Sequence, residues 1–311
     1  MEPPEGTGWC RTSEPLLAHH EAMLLRHLRA PHSVFRVPLS ADGSQFIHTL
    51  EITPTRSTAG SLVLIHGFAS AMATFVNVLQ QLSQRIDALT IYAIDLPGFG
   101  RSWKPTFPTH SEAAEDVWIE SLERWRIRMH IPAHRLILCA HSFGAYIATL
   151  YAHRYPTRSL ILFEPWGLRA APPLRSHWPL GLVNPLQLLR LAGPLALVLM
   201  RFATGDLFTH TFAGIGDKDE MLLYLYHCNV QCTADAAFFS LVSSDYRPLR
   251  PIAPAPNTTL IIYGADSWIG PVQGPVRAHF IPGAGHQVYA EQPLPFVEAV
   301  CGAMEGFTNR H

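Results

Sequence analysis

The sequence predicts an α/β fold: a mostly parallel central sheet with helices on both faces and an inserted helical cap. Three observations predict it. Short apolar runs at 62–65, 90–94, 135–140 and 160–163 recur with helical stretches between them, the rhythm of βαβ units whose strands are buried on both faces. That rhythm breaks across 165–250, where prolines and apolar helical stretches replace strand runs. It resumes at 259–263 and 278–281. The chain therefore divides into an N-terminal segment (1–44), a first part of the core (45–164), the helical insertion (165–250) and a second part of the core (251–311).

Residues 1–12 are rich in Pro and Gly, with Trp9 in a polar setting; they are expected to be mobile, and such a Trp suits a lipid interface. No apolar stretch follows Met1, so no signal peptide is expected. Ser13-Glu14-Pro15 is a helix start, Leu16, Leu17, Leu24 and Leu28 keep helical spacing, and Pro31 ends the helix. Residues 34–37 and 46–52 read as strands joined by the turn Ala41-Asp42-Gly43-Ser44. After the strand 62–65 a helix is expected over 75–82, then the strand 90–94 ending in the loop 95–102. Ser111 is expected to cap a helix with Glu112 and Glu115 in its first turn and an apolar stripe of Trp118, Leu122, Trp125 and Met129. In the insertion, 186–200 and 221–226 read as apolar helices, and a last helix covers 293–304.

Composition narrows the function. The chain has 311 residues, 48% hydrophobic and only 15% charged, which implies a large core, an apolar surface patch, or both. A net charge of −1 shows no nucleic-acid footprint, while 17 histidines would make the surface more cationic near pH 6. Five scattered cysteines read as reduced cytoplasmic thiols rather than a disulfide frame. His227-Cys228 with Cys232 lacks a second ligand pair for a metal and reads as packing. No uninterrupted apolar window reaches the roughly eighteen residues of a spanning helix. The nearest, 191–200, contains Gly193 and Pro194 and lies between Arg190 and Arg201; it suits lying on a membrane.

The chemistry centres on Ser142. The strand 135–140, a tight turn with Ser142, and the helix formers 145–152 make the context of a nucleophile elbow. Gly144 supplies one small neighbour; Ala140 stands where the usual pattern has Gly. The competing reading is a serine N-cap on an ordinary βα unit. A base is expected at His286, in the glycine loop Gly283-Ala284-Gly285-His286 after the last short strand. The acid is expected at Asp266, just past the strand that ends at Tyr263, with Glu164, at the end of the strand after the elbow helix, as the second candidate. The backbone N–H groups of Phe68 and Phe143 are the expected oxyanion donors. His66 is expected to brace its loop, and Asp95 with Pro97, Gly98 and Arg101 to fix a loop beneath the site.

With these residues assembled, residues 45–305 resemble the α/β-hydrolase superfamily. The closest resemblance is to the branch holding N-acyl-phospholipid and lysophospholipid hydrolases, a lipid-droplet lipase coactivator and a cardiolipin deacylase. It rests on Gly8-Trp9-Cys10 with Thr12-Ser13, His66-Gly67-Phe68, the loop from Asp95 to Ser102, Glu164-Pro165-Trp166-Gly167, Asn184-Pro185-Leu186, Leu191-Ala192-Gly193-Pro194, Tyr226-His227-Cys228-Asn229-Val230-Gln231 and Gly283-Ala284-Gly285-His286. The resemblance implies an α/β-hydrolase fold, lipid ester or amide substrates, and work at a membrane or droplet surface. Coactivator members carry Asn in place of the nucleophile; Ser142 here favours hydrolysis. The family's H-x4-D motif, linked to acyl transfer onto lysophosphatidic acid, reads His286 to Glu291 here, with Glu for Asp. Family members often carry a further Asp at the place of Gly270, which leaves both Asp266 and Glu164 as candidates for the acid.

The combined expectation is a serine hydrolase of phospholipid, lysophospholipid or N-acyl phospholipid acyl bonds. It needs no cofactor or metal. It would work in the cytoplasm, peripherally on lipid droplets, mitochondria or endoplasmic reticulum, through the Trp9 region and the cap. The alternatives are an acyl-CoA-dependent lysophosphatidic acid acyltransferase, and a non-enzymatic coactivator with a lipase as partner.

Overall fold

The computed structural model describes residues 8–54, 58–168, 184–212, 218–243, 246–255, 257–272 and 274–308. Eight strands form one sheet: β1 (Ser33–Pro38), β2 (Phe46–Ile52), β3 (Gly60–Ile65), β4 (Leu89–Ile94), β5 (Leu136–His141), β6 (Ser159–Phe163), β7 (Thr258–Gly264) and β8 (Ala278–Ile281). Their order is β1-β2-β4-β3-β5-β6-β7-β8. β2 runs antiparallel to β1 and β4, and every other pairing is parallel. The predicted mostly parallel sheet is therefore present. It starts at Ser33, inside the N-terminal segment 1–44 rather than at residue 45.

Every residue of β3, β4, β5 and β6 is buried, which is why these strands read as continuous apolar runs rather than alternating ones. Alternate residues serve two cores. Along β5, Ile137 and Cys139 join the cluster under α2 (Val76–Arg85) and α10 (Pro293–Thr308), where Leu79 and Phe296 are fully buried. Leu136, Leu138 and Ala140 join the cluster under α3 (Ser111–Arg128) and α4 (Phe143–Arg154) with Trp118 and Trp125. Fully burying one such aliphatic side chain is worth about 1.5–3 kcal/mol. Both indoles also satisfy their N–H, Trp118 on the Pro97 carbonyl and Trp125 on Thr49 Oγ1, each at 3.0 Å.

Two expectations need correction. Ser111 is the first helical residue of α3, not its cap; His110 holds the cap position, and no side chain caps the helix. The extended backbone of His110 leaves the hydroxyl of Ser111 already inside the first turn. Residues 8–12 are also tied down; the expectation for 1–7 lies outside the described residues. Trp9 rests on Gly193, where an added Cβ would fall 2.1 Å from the indole. Cys10 Sγ bonds the Arg190 carbonyl, and Thr12 bonds His227 Nδ1 at 2.9 Å.

These contacts reach the insertion, whose described part is helical: α5 (Pro185–Ala192), α6 (Ala196–Thr211), α7 (Lys218–Val230) and α8 (Asp235–Phe239). The N-terminal helix α1 (Glu14–Leu25) packs on α7, with His20 stacked on His227. Thus motifs far apart in sequence, the Gly-Trp-Cys stretch, Leu191 to Pro194 and Tyr226 to Gln231, meet at one place. Outward from it, Leu188, Leu191, Leu195, Val198, Leu199 and Phe202 are exposed, Phe202 by 93%, beside a 67%-exposed Trp9. The run Pro185–Phe202 has a mean hydropathy of 1.3 and only 17% of it is buried. It has the length and hydropathy of a spanning segment but is divided at Gly193–Leu195, where a 3-10 turn separates α5 from α6.

Candidate active site

Ser142 follows β5 and sits at the cap position of α4 with φ 50° and ψ −116°. A non-glycine residue in this region is strained by about 1–3 kcal/mol and must be held by its surroundings. Here the Ser142 N–H donates to the Phe163 carbonyl at 3.1 Å, and its own carbonyl accepts from Ala145, Tyr146 and Trp166. The small residues have a geometric reason. A Cβ on Gly144 would lie 2.4 Å from the His66 carbonyl, and one on Gly67 would lie 3.0 Å from Ser142 Cβ. The elbow therefore packs against the loop after β3 with no room for a side chain at either glycine. Ala140 packs its methyl into the α3–α4 core.

His286 comes from the loop between β8 and the short helix α9 (Val288–Glu291). Its Nε2 lies 3.1 Å from Ser142 Oγ, and its Nδ1 lies 3.3 Å from Glu164 Oε2. With Nδ1–H directed at the carboxylate, Nε2 is free to accept from the hydroxyl. Glu164 leaves β6 at φ 50° and is completely buried. Its Oε1 accepts from the Gly264 N–H at 2.6 Å, and its Oε2 accepts from the Ser267 hydroxyl. Burial raises the Glu164 carboxyl to about 7 against the pull of those two bonds. Burial also lowers His286 to about 4.

The structure puts Glu164, not Asp266, against the imidazole. Asp266 is exposed. Its backbone N–H donates to the Ala284 carbonyl at 2.9 Å, and its carboxylate bonds no described group. The cause is the turn that follows β7, in which the Ser267 N–H returns to the Gly264 carbonyl. That turn sends Asp266 outward and its neighbour Ser267 inward. Position after the strand that ends at Tyr263 favoured Asp266 in the sequence, yet Glu164 follows a strand as well, and that placement alone did not separate them. Ser267 was missed altogether; its only signal was adjacency to Asp266.

Phe143 opens α4, and Phe68 lies in the loop after β3. Neither N–H is engaged by another described group, so both remain available as oxyanion donors. The Phe68 ring stacks on Phe238 at 4.0 Å, and Phe238 meets Phe143 and Trp166. α8 thus brings an aromatic wall to the elbow that sequence reading did not foresee. Beneath, His66 bonds the Gly67 carbonyl through Nδ1 at 2.7 Å and accepts the Leu96 N–H at Nε2; burial keeps it neutral. Asp95 accepts from the Met72 and Arg101 N–H groups at 2.8 and 2.7 Å, tying down the loop after β4 as expected.

One trio among the described residues, Glu21, His48 and Asp95, brings metal-ligand atoms within 4.8 Å of one another. A cation already stands there: the Arg101 guanidinium bonds Glu21 at 2.7 Å. His227 is engaged by Thr12, and burial pushes the Cys232 thiol up to about 11 and Cys228 well above its usual range.

Residues 62–299 match the model of the Alpha/beta hydrolase family. The chain is 36% identical to the (Lyso)-N-acylphosphatidylethanolamine lipase of Bos taurus, with 94% of each chain covered. It is 32% identical to the 1-acylglycerol-3-phosphate O-acyltransferase ABHD5 of Rattus norvegicus, covering 96% of this chain and 95% of that one. Among solved structures, a membrane phospholipase A that is a bacterial virulence factor shares the fold, with a TM-score of 0.66 at 22% identity over 94% of this chain and 92% of that one.

Proposed function

The chain belongs to the alpha/beta hydrolase family, and on that footing we propose that it is a serine hydrolase of phospholipid acyl bonds, with Ser142, His286 and Glu164 as its triad. Ser142 Oγ attacks the acyl carbonyl while His286 Nε2 takes its proton. Glu164 orients the imidazole and stabilises the imidazolium, and the N–H groups of Phe68 and Phe143 receive the oxyanion. His286 then protonates the leaving alcohol or amine. Water, deprotonated by the same nitrogen, attacks the acyl-enzyme and restores Ser142. The observation that carries this reading is the chain of contacts from Ser142 Oγ through His286 to Glu164 Oε2, 3.1 and 3.3 Å long. Ser142→Ala is expected to lower kcat for a short acyl ester by about 10³-fold or more and to abolish fluorophosphonate labelling; retained turnover in the folded variant refutes the assignment.

Lysophospholipids and N-acyl phospholipids are the proposed substrates, in line with the lipase-named relatives, and the wall of Phe68, Phe238 and Trp166 suits an acyl chain. The exposed row on α5 and α6, with Trp9, is proposed to rest peripherally on the lipid surface that supplies them. Droplets, mitochondria and endoplasmic reticulum all offer such a surface on the cytoplasmic side, and cell fractionation distinguishes them. The ABHD5-named relatives favour a second reading, in which lysophosphatidic acid replaces water as acyl acceptor; following phosphatidic acid from acyl-CoA with and without that acceptor separates the two. In a third, a lipase coactivator, Ser142→Ala would keep biological activity.

A further inference from the structure

We propose that Glu291 and His141 are positioning residues that clamp the backbone on both sides of His286, so that the His-x4-acid spacing of this chain serves the hydrolytic base. The inference rests on the reading of His286 as that base.

His286 needs such support because its mount is weak. The loop follows β8, where Ala278, His279 and Phe280 are all exposed, and it contains Gly283 at φ 67° as well as Gly285. Yet the imidazole must stay within bonding distance of two partners, where a displacement of about 1 Å can cost about 10²-fold in rate.

Glu291 turns back from the end of α9. Its Oε2 accepts from the Gly285 N–H, and its Oε1 accepts from the Gln287 N–H at 3.1 Å. One carboxylate thus takes the two peptide donors that bracket His286, through charge-assisted bonds. The spacing works because α9 is a single tight turn, with the Ala290 and Glu291 N–H groups both on the Gln287 carbonyl. The carboxylate also lies against Gly285, whose Cβ position is 3.3 Å from Oε2.

The third hold comes from the other strand. His141 Nε2–H donates to the His286 carbonyl at 2.9 Å, which fixes its tautomer and leaves its buried Nδ1 without a partner. His141 directly precedes Ser142, so the bond ties the backbone of the base to the backbone of the nucleophile. In this arrangement both Glu291 oxygens are occupied by peptide donors rather than turned to an incoming acyl acceptor.

The test uses the full chain, a short acyl ester and fluorophosphonate labelling of Ser142. Glu291→Ala is expected to lower kcat about 10- to 100-fold with KM within about twofold. Glu291→Gln should fall between, because its amide oxygen still accepts one of the two N–H groups. His141→Phe should lose about tenfold, and His141→Gln, which keeps a donor, should recover part of it. In a His286→Ala background, Glu291→Ala should add nothing further. The clamp is overturned if folded Glu291→Ala keeps kcat within about twofold, or if its loss multiplies with that of His286→Ala. Should Glu291→Ala fail to fold, an undiminished kcat in Glu291→Gln overturns it equally. Full activity of His286→Ala alone would instead remove the base, a distinct failure. With acyl-CoA and lysophosphatidic acid, Glu291→Gln is expected to lower transfer and hydrolysis by one factor; selective loss of transfer would return Glu291 to acyl transfer.

Discussion

The ends of β5 and β6 and the helices of the insertion follow opposite rules. At the strand ends, Ser142 and Glu164 sit among side chains with almost no contact with water, each at positive φ, held by hydrogen bonds from neighbouring strands and turns. Along α5 and α6 a row of large apolar side chains faces outward, and Phe202 is almost wholly exposed. Rigid, strained backbone suits chemistry, because reacting groups must not wander. An exposed apolar ridge contributes nothing to a core and suits contact with another apolar phase.

Substitutions can separate the two regions. The largest expected effect is at the buried end: Glu164→Gln should lower kcat by about 10²- to 10⁴-fold, while Asp266→Asn should stay within about twofold. Equal losses at the two positions would erase the distinction drawn between them. The pH profile sharpens the same region. Burial raises Glu164 to about 7 and lowers His286 to about 4. The active form, neutral imidazole beside ionised carboxylate, therefore gains population as pH rises from about 4 to about 7, and kcat/KM should climb through that window and level off above it. A profile flat from pH 4 to 8 would contradict the pair.

At the exposed region, each large apolar side chain moved from water into lipid is worth about 1.5–3 kcal/mol. Leu199→Glu with Phe202→Glu should thus weaken pelleting with phosphatidylcholine vesicles about tenfold or more; undiminished pelleting would dissociate the ridge from lipid contact. The smallest effect is expected where the regions meet. Gly193→Ala sets a methyl against Trp9 in a left-handed conformation and should destabilise by about 1–2 kcal/mol, with a shift in Trp emission.

The strands and the elbow were legible because each has a local cause. A run buried on both faces has to be apolar, and a turn packed this closely on its neighbouring loop has to carry glycine at Gly144 and, across from it, at Gly67. The choice between Asp266 and Glu164 was not legible, because it depends on which way one turn after β7 points. The order of residues 8–12 was hidden for the same reason: Trp9 looked unsupported until Gly193 was placed beneath it. Patterning reports what an element buries locally, and these contacts join residues far apart in the chain.

The register of His141 opposite Phe163 carries a consequence for redesign. Hydroxyl and carboxylate grow from adjacent rails of the sheet, roughly 4.8 Å apart, so their mutual placement is as stiff as the ladder itself. The imidazole alone arrives from outside that frame. Whoever retunes this centre for a new ester has one movable part, and the three bonds on its peptide backbone are the set-screws.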